Sequence, residues 1–270
     1  MDPVPSITRR ESKGVTLLAD PSRPRGVTLA FTERTGGVST GAYSSLNLGD
    51  ACGDDADAVS ENRRRALDAI GAGDLADRLV NPHQVHGDTV VVVHEGTDDE
   101  LASVRCEARE GADAVVCLAE DVPVLLCYAD CVPVIIVAPG GFAVVHSGWR
   151  GTDARIAAKA ARELLVQTGA DASELLAYIG PHIGTADYEV SAELAWHFTD
   201  AFGPGCVQGA DHLDLEYCVR AALAEAGVGE DQVASCGGST ASSTDRFYSF
   251  RAEGTCGRHG ALAFRPSDAA

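Results

Sequence analysis

The chain has 270 residues, with 21 basic and 40 acidic side chains and a formal net charge of −19. Its hydrophobic fraction of 45% is typical of a globular protein and excludes wholesale disorder. The negative charge argues against a general binder of nucleic acid or of anionic membranes, because contact with phosphate groups needs a basic surface.

The N-terminal third is predicted to contain an arm, two strands and a helix. Residues 1–25 include four prolines, and we expect them to form a mobile N-terminal arm. An apolar run predicts a strand at 27–32, and a glycine-rich turn follows at 35–41. Helical spacing of apolar residues predicts a helix at 57–70, and a β-branched run predicts a strand at 89–94.

The middle of the chain is its most apolar part. Four short apolar runs, separated by Pro and Gly, lie at 112–118, 122–128, 132–137 and 142–146. Near-continuous apolarity of this kind predicts strands that are buried on both faces. An amphipathic helix is predicted directly after them, at 151–168.

The C-terminal third again mixes both kinds of element, with a buried strand at 175–179, helices near 191–202 and 213–226, and strands near 247–251 and 261–265. Strands and helices therefore intermingle along the whole chain. We expect an α/β fold in which residues 26–266 form a single compact domain, with mixed β-sheets flanked by helices.

The nine cysteines predict free thiols in a cytoplasmic protein. Their number is odd, no signal peptide is visible, and a chain of this size buries its core without disulfide support. The longest segment without Asp, Glu, Lys or Arg, 131–149, is interrupted by proline and glycine. It therefore predicts short strands and a turn, and no membrane span is expected.

Three segments place metal-binding or nucleophilic side chains at the ends of predicted strands: Pro82-His-Gln-Val-His-Gly87, Cys127-Tyr-Ala-Asp-Cys131 and Val145-His-Ser-Gly-Trp-Arg-Gly151. Strand ends followed by tight turns are common positions for functional sites in α/β proteins. We therefore regard His86, Cys131 and His146 as a candidate two-histidine, one-cysteine metal set.

The spacing of this set favours a catalytic metal over a structural one. A structural zinc takes four protein ligands, usually with paired cysteines, and the chain contains no Cys-x-x-Cys. Three ligands leave a position for water, which a zinc ion can acidify. A structural interpretation stays open, because cysteine is among the most buried residue types and a histidine at a strand end is often only a hydrogen-bonded polar group.

Two other chemistries use the same residues. A His₂Cys set also binds copper in electron-transfer proteins, which typically add an axial methionine, but the only methionine here is Met1. The chain also has no His-x-His pair of the multicopper type. A Cys131–His146 hydrolase, with histidine activating a cysteine nucleophile, cannot be separated from a zinc site by sequence.

An anionic substrate would need a local arginine cluster in so acidic a protein. Arg34 and Ser39 flank the 35–41 turn, whose backbone N–H groups could cradle phosphate, although a simple hairpin turn fits equally well. Arg150 lies in the Gly-Trp-Arg-Gly turn, and Arg251 follows an aromatic run. These turns are the expected places for a phosphate contact.

The ordered motifs resemble the YfiH/YlmD family of laccase-domain purine nucleoside phosphorylases. The matching segments are Arg34-x-Gly-Gly-Val-Ser39, Ser45-Leu-Asn-Leu-Gly49, Gln84-Val-His-Gly87, Ala112-Asp-Ala114, Ala129-Asp-Cys-Val-Pro133, His146-Ser-Gly-Trp-Arg-Gly151, Ile179-Gly-Pro-x-Ile-Gly184, Tyr188-Glu-Val190 and Phe247-Tyr-Ser-Phe-Arg251 with Gly257-Arg258. Departures at Ala186-Asp187 and Ser239-Thr240 bear on substrate preference and leave the metal set intact.

The resemblance implies a YfiH-like single-domain fold and a zinc ion held by His86, Cys131 and His146. It implies phosphorolysis of adenosine, inosine and S-methyl-5′-thioadenosine, together with adenosine deamination. The expected partners are then purine nucleosides and phosphate. The protein itself is expected to be a monomer or a small homo-oligomer. The older family label of polyphenol oxidase or laccase makes copper the alternative cofactor. A non-enzymatic protein with a retained structural metal is a further alternative.

Residue roles follow from motif position and from the need for positive charge. His86, Cys131, His146 and Arg34 are the expected catalytic residues, with Arg34 binding phosphate. The expected substrate-binding residues are Ser39, Asn47, Arg150 and Arg251. Two acidic residues beside the metal-binding segments, Asp113 and Asp130, are candidates for proton transfer.

Overall fold

The computed structural model describes residues 4–267, which form thirteen strands and seven α-helices. The strands are β1 (Thr8–Ser12), β2 (Val15–Ala19), β3 (Thr28–Thr32), β4 (Val90–Val93), β5 (Ala114–Cys117), β6 (Val124–Tyr128), β7 (Val132–Ala138), β8 (Gly141–Ser147), β9 (Leu176–Ile179), β10 (Val207–Gln208), β11 (His212–Leu213), β12 (Val233–Ser235) and β13 (His259–Phe264). The helices are α1 (Ala56–Ile70), α2 (Asp98–Gly111), α3 (Trp149–Asp153), α4 (Ile156–Thr168), α5 (Ala192–Phe202), α6 (Leu215–Glu225) and α7 (Phe250–Glu253).

Two large sheets dominate the fold. The first has the order β1-β2-β3-β13-β6 and is antiparallel throughout. The second has the order β12-β9-β7-β8-β5-β4 and is mixed, because its two edge strands β12 and β4 pair in parallel with their neighbours. This arrangement confirms the predicted α/β class with several sheets and flanking helices.

Three layers of apolar packing hold the sheets and helices together. Between the sheets, Leu29 and Phe31 of β3 share a core with Ile135 of β7. The outer face of the mixed sheet packs against α4, α5 and α6, and the outer face of the antiparallel sheet packs against α1. Strands buried on both faces explain why the central apolar runs of the sequence lack alternation.

The helix α1 illustrates how local sequence sets an element's ends. The side chain of Asp55 accepts the N–H of Ala58 at 2.9 Å and so caps the first turn. Gly71 ends the helix with φ 84°, a left-handed conformation that glycine adopts without a Cβ penalty. The predicted range of 57–70 is therefore confirmed to within one residue.

The N-terminal segment differs from the expected mobile arm of residues 1–25. The first three of these residues lie outside the described range, but β1 and β2 form a hairpin that extends the antiparallel sheet. Val15 and Leu17 are fully buried against α1 and the sheet, and this burial offsets the entropy lost on ordering. Pro21 and Pro24 lie in the turn that follows the hairpin, and Pro5 precedes it, so no proline of the described segment interrupts β1 or β2.

Other elements also differ from the sequence prediction, and the short strands β10, β11 and β12 were not predicted at all. The expected helix at 151–168 is two helices, because Arg155 adopts a left-handed φ of 62° between them. The segment predicted as a strand at 247–251 instead enters α7, which Ser249 caps. The helix α2 was not predicted; it is polar on its exposed side, and Thr97 caps its first turn.

Within residues 4–267, no helix combines the length and the apolarity that a membrane crossing requires.

Candidate metal centre and adjoining cavity

His86 lies on a loop that the half-buried Gln84 and the buried Asp113 hold against the sheets. The amide of Gln84 pairs with the backbone of Cys127 on β6, donating to its C=O and accepting from its N–H at 2.8 Å each. His86 itself has a left-handed φ of 60°, which is uncommon for a residue with a Cβ. The loop therefore presents the imidazole in a conformation that its surroundings must maintain.

Asp113 supplies much of that support, and it contacts both histidines of the set. Its buried carboxylate accepts the backbone N–H groups of residues 85–87 at 2.7–3.2 Å. The same carboxylate lies 2.7 Å from Nδ1 of His146. An ionised carboxylate only accepts hydrogen bonds, so Nδ1 of His146 carries the proton and Nε2 is the atom available to a metal.

Cys131 lies in the connection between β6 of the first sheet and β7 of the second. Its neighbour Asp130 has a left-handed φ of 88°. The Asp130 carboxylate accepts the hydroxyl of Thr240 and the backbone N–H of Arg251, both at 2.7 Å. These bonds fix the turn that carries the thiol.

The three segments converge on one point. The ligand atoms of His86, Cys131 and His146 all lie within 4.8 Å of one another. Gly148 closes one side, and a Cβ on it would lie 3.0 Å from both the Cys131 sulfur and Cδ2 of His86. This is the single group of three or more metal-ligating side chains found in the described part of the chain.

The residues fit a zinc ion. Ligand atoms of one tetrahedral zinc are separated by roughly 3–4 Å, because each lies about 2.0–2.3 Å from the metal. The donor set combines two imidazoles with one thiolate, and a hydrogen-bonded carboxylate already fixes the ring of His146. Three protein ligands leave one position for water or substrate.

The electrostatics of the site favour the metal-binding form of the cysteine. Burial opposes the thiolate, but the facing imidazoles of His146 and His86 lower the pKa of Cys131 to about 6. Burial also opposes the charged imidazole, but the thiolate and the Asp113 carboxylate raise the pKa of His146 to about 9. Without a metal, the two groups therefore shift each other toward the thiolate and the imidazolium.

A cavity of about 540 Å³ adjoins the metal set and includes all three ligands in its wall. Three aromatic side chains, Trp149, Tyr188 and Phe250, line it together with three arginines, Arg150, Arg251 and Arg258. The cavity thus combines a metal-binding set, planar apolar surfaces and positive charge, which suit an aromatic base joined to a polar, anionic group.

The sequence-predicted residues Arg150 and Arg251 lie in this wall, but Arg34 does not. The Arg34 guanidinium donates to the carbonyls of Ser44 at 3.0 Å and Thr244 at 2.6 Å, and it pairs with Glu253 at 2.9 Å. The side chain of Arg34 therefore ties together distant loops of the protein outside the cavity wall.

Ser39 and Asn47 likewise lie outside the cavity wall. The Ser39 hydroxyl and the Asn47 amide both donate to the carboxylate of Asp54, at 2.6 and 2.9 Å. Asn47 is fully buried, and its Oδ1 accepts the backbone N–H of Arg258 at 2.7 Å. The structure places these two residues beneath the loops that form the wall.

Three residues that contribute to the site were not assigned such roles from sequence. Asp113 and Gln84 hold the metal loop, and Arg258 lines the cavity. All three lie in the motifs that carry the family resemblance, so the sequence did mark these positions. Their roles depend on contacts with residues far away in the chain, which a local sequence pattern does not predict.

Comparisons of sequence and of structure relate this chain to the same group of known proteins. Residues 28–265 match a family described as multi-copper polyphenol oxidoreductase laccase. A purine nucleoside phosphorylase of Corynebacterium glutamicum is 35% identical over 253 residues, which cover 92% of this chain and 98% of that protein. An adenosine deaminase from an unknown prokaryotic organism is 36% identical over 209 residues, covering 74% and 79%.

The fold comparison agrees with these matches. The crystal structure of YlmD from Geobacillus stearothermophilus superposes with a TM-score of 0.85 at 30% sequence identity. The match covers 97% of this chain and all of that one. The family resemblance that the ordered motifs indicated is thereby confirmed over nearly the whole chain.

Proposed function

Because this chain belongs to the multi-copper polyphenol oxidoreductase laccase family, whose members include proteins named purine nucleoside phosphorylase, we propose that it phosphorolyses purine nucleosides. We extend the proposal to zinc as the metal, to adenosine, inosine and S-methyl-5′-thioadenosine as substrates, and to adenosine deamination as a second activity. A relative named adenosine deaminase supports the second activity.

One observation carries the proposal: the His-Cys-His set opens into a cavity that also holds arginine and aromatic side chains. A purine base needs planar apolar surfaces, and phosphate needs guanidinium groups. A metal that acts on the substrate needs an open coordination position beside both.

Phosphorolysis exchanges one bond at the sugar carbon C1′ for another. The bond from C1′ to the purine nitrogen breaks with its electron pair on the base, and a phosphate oxygen bonds to C1′. The products are the purine, which takes up a proton, and the sugar 1-phosphate. The cavity's guanidinium groups hold the phosphate close to C1′, which makes the attack effectively unimolecular.

Asp113 and Asp130 orient the site and are poorly placed to transfer protons. Both carboxylates already accept hydrogen bonds. Burial opposes the charge of Asp113, but its own donors, foremost His146, hold the pKa of Asp113 below its usual value. Each residue thus acts as a positioning residue for a metal-binding segment.

A zinc ion bound by His86, Cys131 and His146 would supply Lewis acidity and acidify a water molecule. In deamination, water adds to C6 of adenine and ammonia leaves, which converts adenosine into inosine. The cavity keeps the base beside the metal set, so one site suits both reactions.

Two alternatives use the same side chains. The family description favours a copper-dependent polyphenol oxidase, although the described residues contain one three-ligand cluster where a multicopper enzyme has several. The lowered pKa of Cys131 beside His146 favours a Cys–His hydrolase that needs no metal.

The test is incubation of metal-analysed protein with adenosine, with and without phosphate, followed by separation of the products. Ribose 1-phosphate and adenine, formed only with phosphate, indicate the phosphorylase, and inosine indicates the deaminase. Removal of zinc by a chelator should abolish both activities, and zinc should restore them. Hydrolysis that needs no phosphate and survives chelation supports the hydrolase, and copper-dependent oxidation of a phenol supports the oxidase.

Matched cysteine variants connect the activity to the site. Cys131→Ala should lose both bound zinc and activity, whereas Cys106→Ala, on the exposed side of α2, should keep both. Retention of zinc and activity by Cys131→Ala would contradict the assignment. Bound zinc without turnover of any purine nucleoside would support a non-enzymatic role.

A further inference from the structure

We infer that the Arg258 guanidinium binds the phosphate that attacks the nucleoside. The inference rests on the proposed function for the identity of the anion, but it assigns the anion site from the structure. Phosphate binding is thereby assigned to Arg258, which received no role from sequence, and not to Arg34, which the sequence favours.

Arg258 presents unused hydrogen-bond donors to the cavity. Its side chain is half-buried, and Nη1 donates to the carbonyls of Cys256 and Gly257 at 2.8 Å each. Across residues 4–267 no carboxylate pairs with it, and Nε and Nη2 have no protein acceptor. A guanidinium has five N–H donors, so a fork that suits a phosphate is left free.

The backbone and the stem of Arg258 are held from two sides. Its N–H donates to Asn47 at 2.7 Å, and its C=O accepts the N–H of Leu48 at 2.9 Å. Gly49 lies against the stem, and a Cβ there would lie 2.6 Å from Cγ of Arg258. The Ser45–Gly49 motif is therefore a cradle for this arginine, and such preorganisation lowers the entropy cost of binding an anion.

The other arginines near the site are less suitable. Arg34 already pairs with Glu253. Arg251 is exposed and donates to the carbonyl of Glu189 at 3.0 Å, and Arg150 is exposed and stacks on Trp149 at 4.2 Å. Arg258 alone among the three in the cavity wall is half-buried, where a charge-assisted hydrogen bond is stronger than in water.

The acidic groups near Arg258 leave its charge available. Asp50 lines the same cavity, but it pairs with Arg63 at 3.1 Å. Both oxygens of Asp130 already accept hydrogen bonds from Thr240 and Arg251. In a chain of net charge −19, an unneutralised cation inside a cavity provides the local attraction that an anion needs against the overall field.

The test compares Arg258→Gln and Arg258→Lys with the wild-type enzyme loaded with zinc. In Arg258→Gln, the KM for inorganic phosphate should rise about ten- to hundred-fold, because a charge-assisted hydrogen bond is lost. Arg258→Lys should fall between the two, because it keeps the charge and loses the fork. The KM for the nucleoside and the zinc content should stay within about threefold of wild type. A merely structural defect would change these two quantities as well.

The matched control is Arg105→Gln. Like Arg258, Arg105 donates to two backbone carbonyls, those of Leu79 and Asp77, but it lies outside the cavity wall. The Arg105→Gln substitution should therefore leave the KM for phosphate unchanged. An unchanged KM for phosphate in Arg258→Gln, with phosphorolysis intact, would overturn the inference and leave the proposed function standing.

Direct titration of inorganic phosphate by calorimetry separates the two proposals. Phosphate binding to wild type that Arg258→Gln weakens would support the inference even if no phosphorolysis is observed, in which case only the proposed function fails. Equal binding of phosphate by wild type and Arg258→Gln, or no binding by wild type, would contradict the inference.

Discussion

Asp113 is the residue on which the geometry of the candidate metal centre depends most. It is fully buried, it accepts the N–H groups of the His86 loop, and it sets the tautomer of His146. One carboxylate thus couples two ligands that are 60 residues apart in the chain. Such supporting acceptors fix the orientation of a ligating ring and raise its basicity.

We predict that Asp113→Asn lowers the affinity for zinc about 10- to 100-fold. An amide has only one acceptor oxygen and adds an NH₂ donor, which would face the backbone donors of residues 85–87. Competition with a chromogenic chelator measures the affinity. The exposed Asp200→Asn on α5 is the control, and equal affinities in the two variants would refute the role of Asp113.

Arg34 is a connecting residue, so its removal should affect stability and leave substrate binding intact. Arg34→Gln loses an ion pair with Glu253 and three carbonyl contacts, which together contribute about 2 kcal/mol. The expected fall in Tm is about 5 °C. The KM for phosphate should not change, and a rise in that KM without a fall in Tm would restore Arg34 to the phosphate site.

At the scale of elements, the candidate centre lies where the chain passes from one sheet to the other. Cys131 follows β6 of the antiparallel sheet and precedes β7 of the mixed sheet, while His146 lies on β8 next to β7. The His86 loop is attached to β6 through Gln84. The two sheets must therefore pack correctly before the three ligands can meet.

Gly148, in the turn between β8 and α3, should be intolerant of any side chain. Its φ of −75° suits alanine, but a Cβ would lie 3.0 Å from the Cys131 sulfur and from His86. We predict that Gly148→Ala displaces these ligands and weakens zinc binding by about tenfold, with an unchanged Tm of the metal-free protein.

Gly229→Ala serves as the control for Gly148→Ala. Its φ of −74° is similar, and its nearest neighbours are the side chains of Asp231 and Gln232. Zinc affinity, measured by chelator competition, should stay at the wild-type value in this variant. Equal zinc affinity in both alanine variants would show that the Gly148 turn has room for a side chain.

At the scale of the whole molecule, a buried carboxylate joins the N-terminal hairpin to the C-terminal part of the chain. Glu33 follows β3, and its carboxylate accepts from Arg9 of β1 at 2.8 Å and from Arg246 at 3.0 Å. Burial opposes its charge, but the hydrogen bonds of both arginines hold the pKa of Glu33 below its usual range. The ionised form therefore stabilises the folded state.

The stability contributed by Glu33 should be lost in acid. It is fully present above the unfolded pKa of about 4.3 and disappears as the pH falls through the lower folded pKa. Glu33→Gln should reduce the free energy of unfolding by about 1–3 kcal/mol at pH 7, and the difference should shrink toward pH 3. Urea unfolding across this range measures it.

Glu107→Gln, on an exposed face of α2, is the control for the Glu33 variant and should follow the wild-type pH profile. A deficit of Glu33→Gln that is the same at pH 7 and pH 3 would show that charge is not the source of its effect.

Sequence predicted most elements because their signals are local. The buried strands β5 to β8 follow from apolar runs, and α1 follows from its spacing and its glycine stop. The N-terminal hairpin was missed because its order comes from burial against other elements. The segment at 247–251 was misassigned because the capping bond of Ser249 outweighed its aromatic composition.

The sequence by itself determined the family and the three candidate metal ligands, because side-chain chemistry at motif positions is a local property. Only the tertiary structure decided that Arg258 lines the cavity and that Arg34 does not. Arg34 and Arg258 both lie in glycine-containing motifs, but Glu253, 219 residues away in the chain, neutralises Arg34. Arg258 rests on Asn47 and Gly49 and keeps Nε and Nη2 free, since within residues 4–267 folding pairs its guanidinium with no carboxylate.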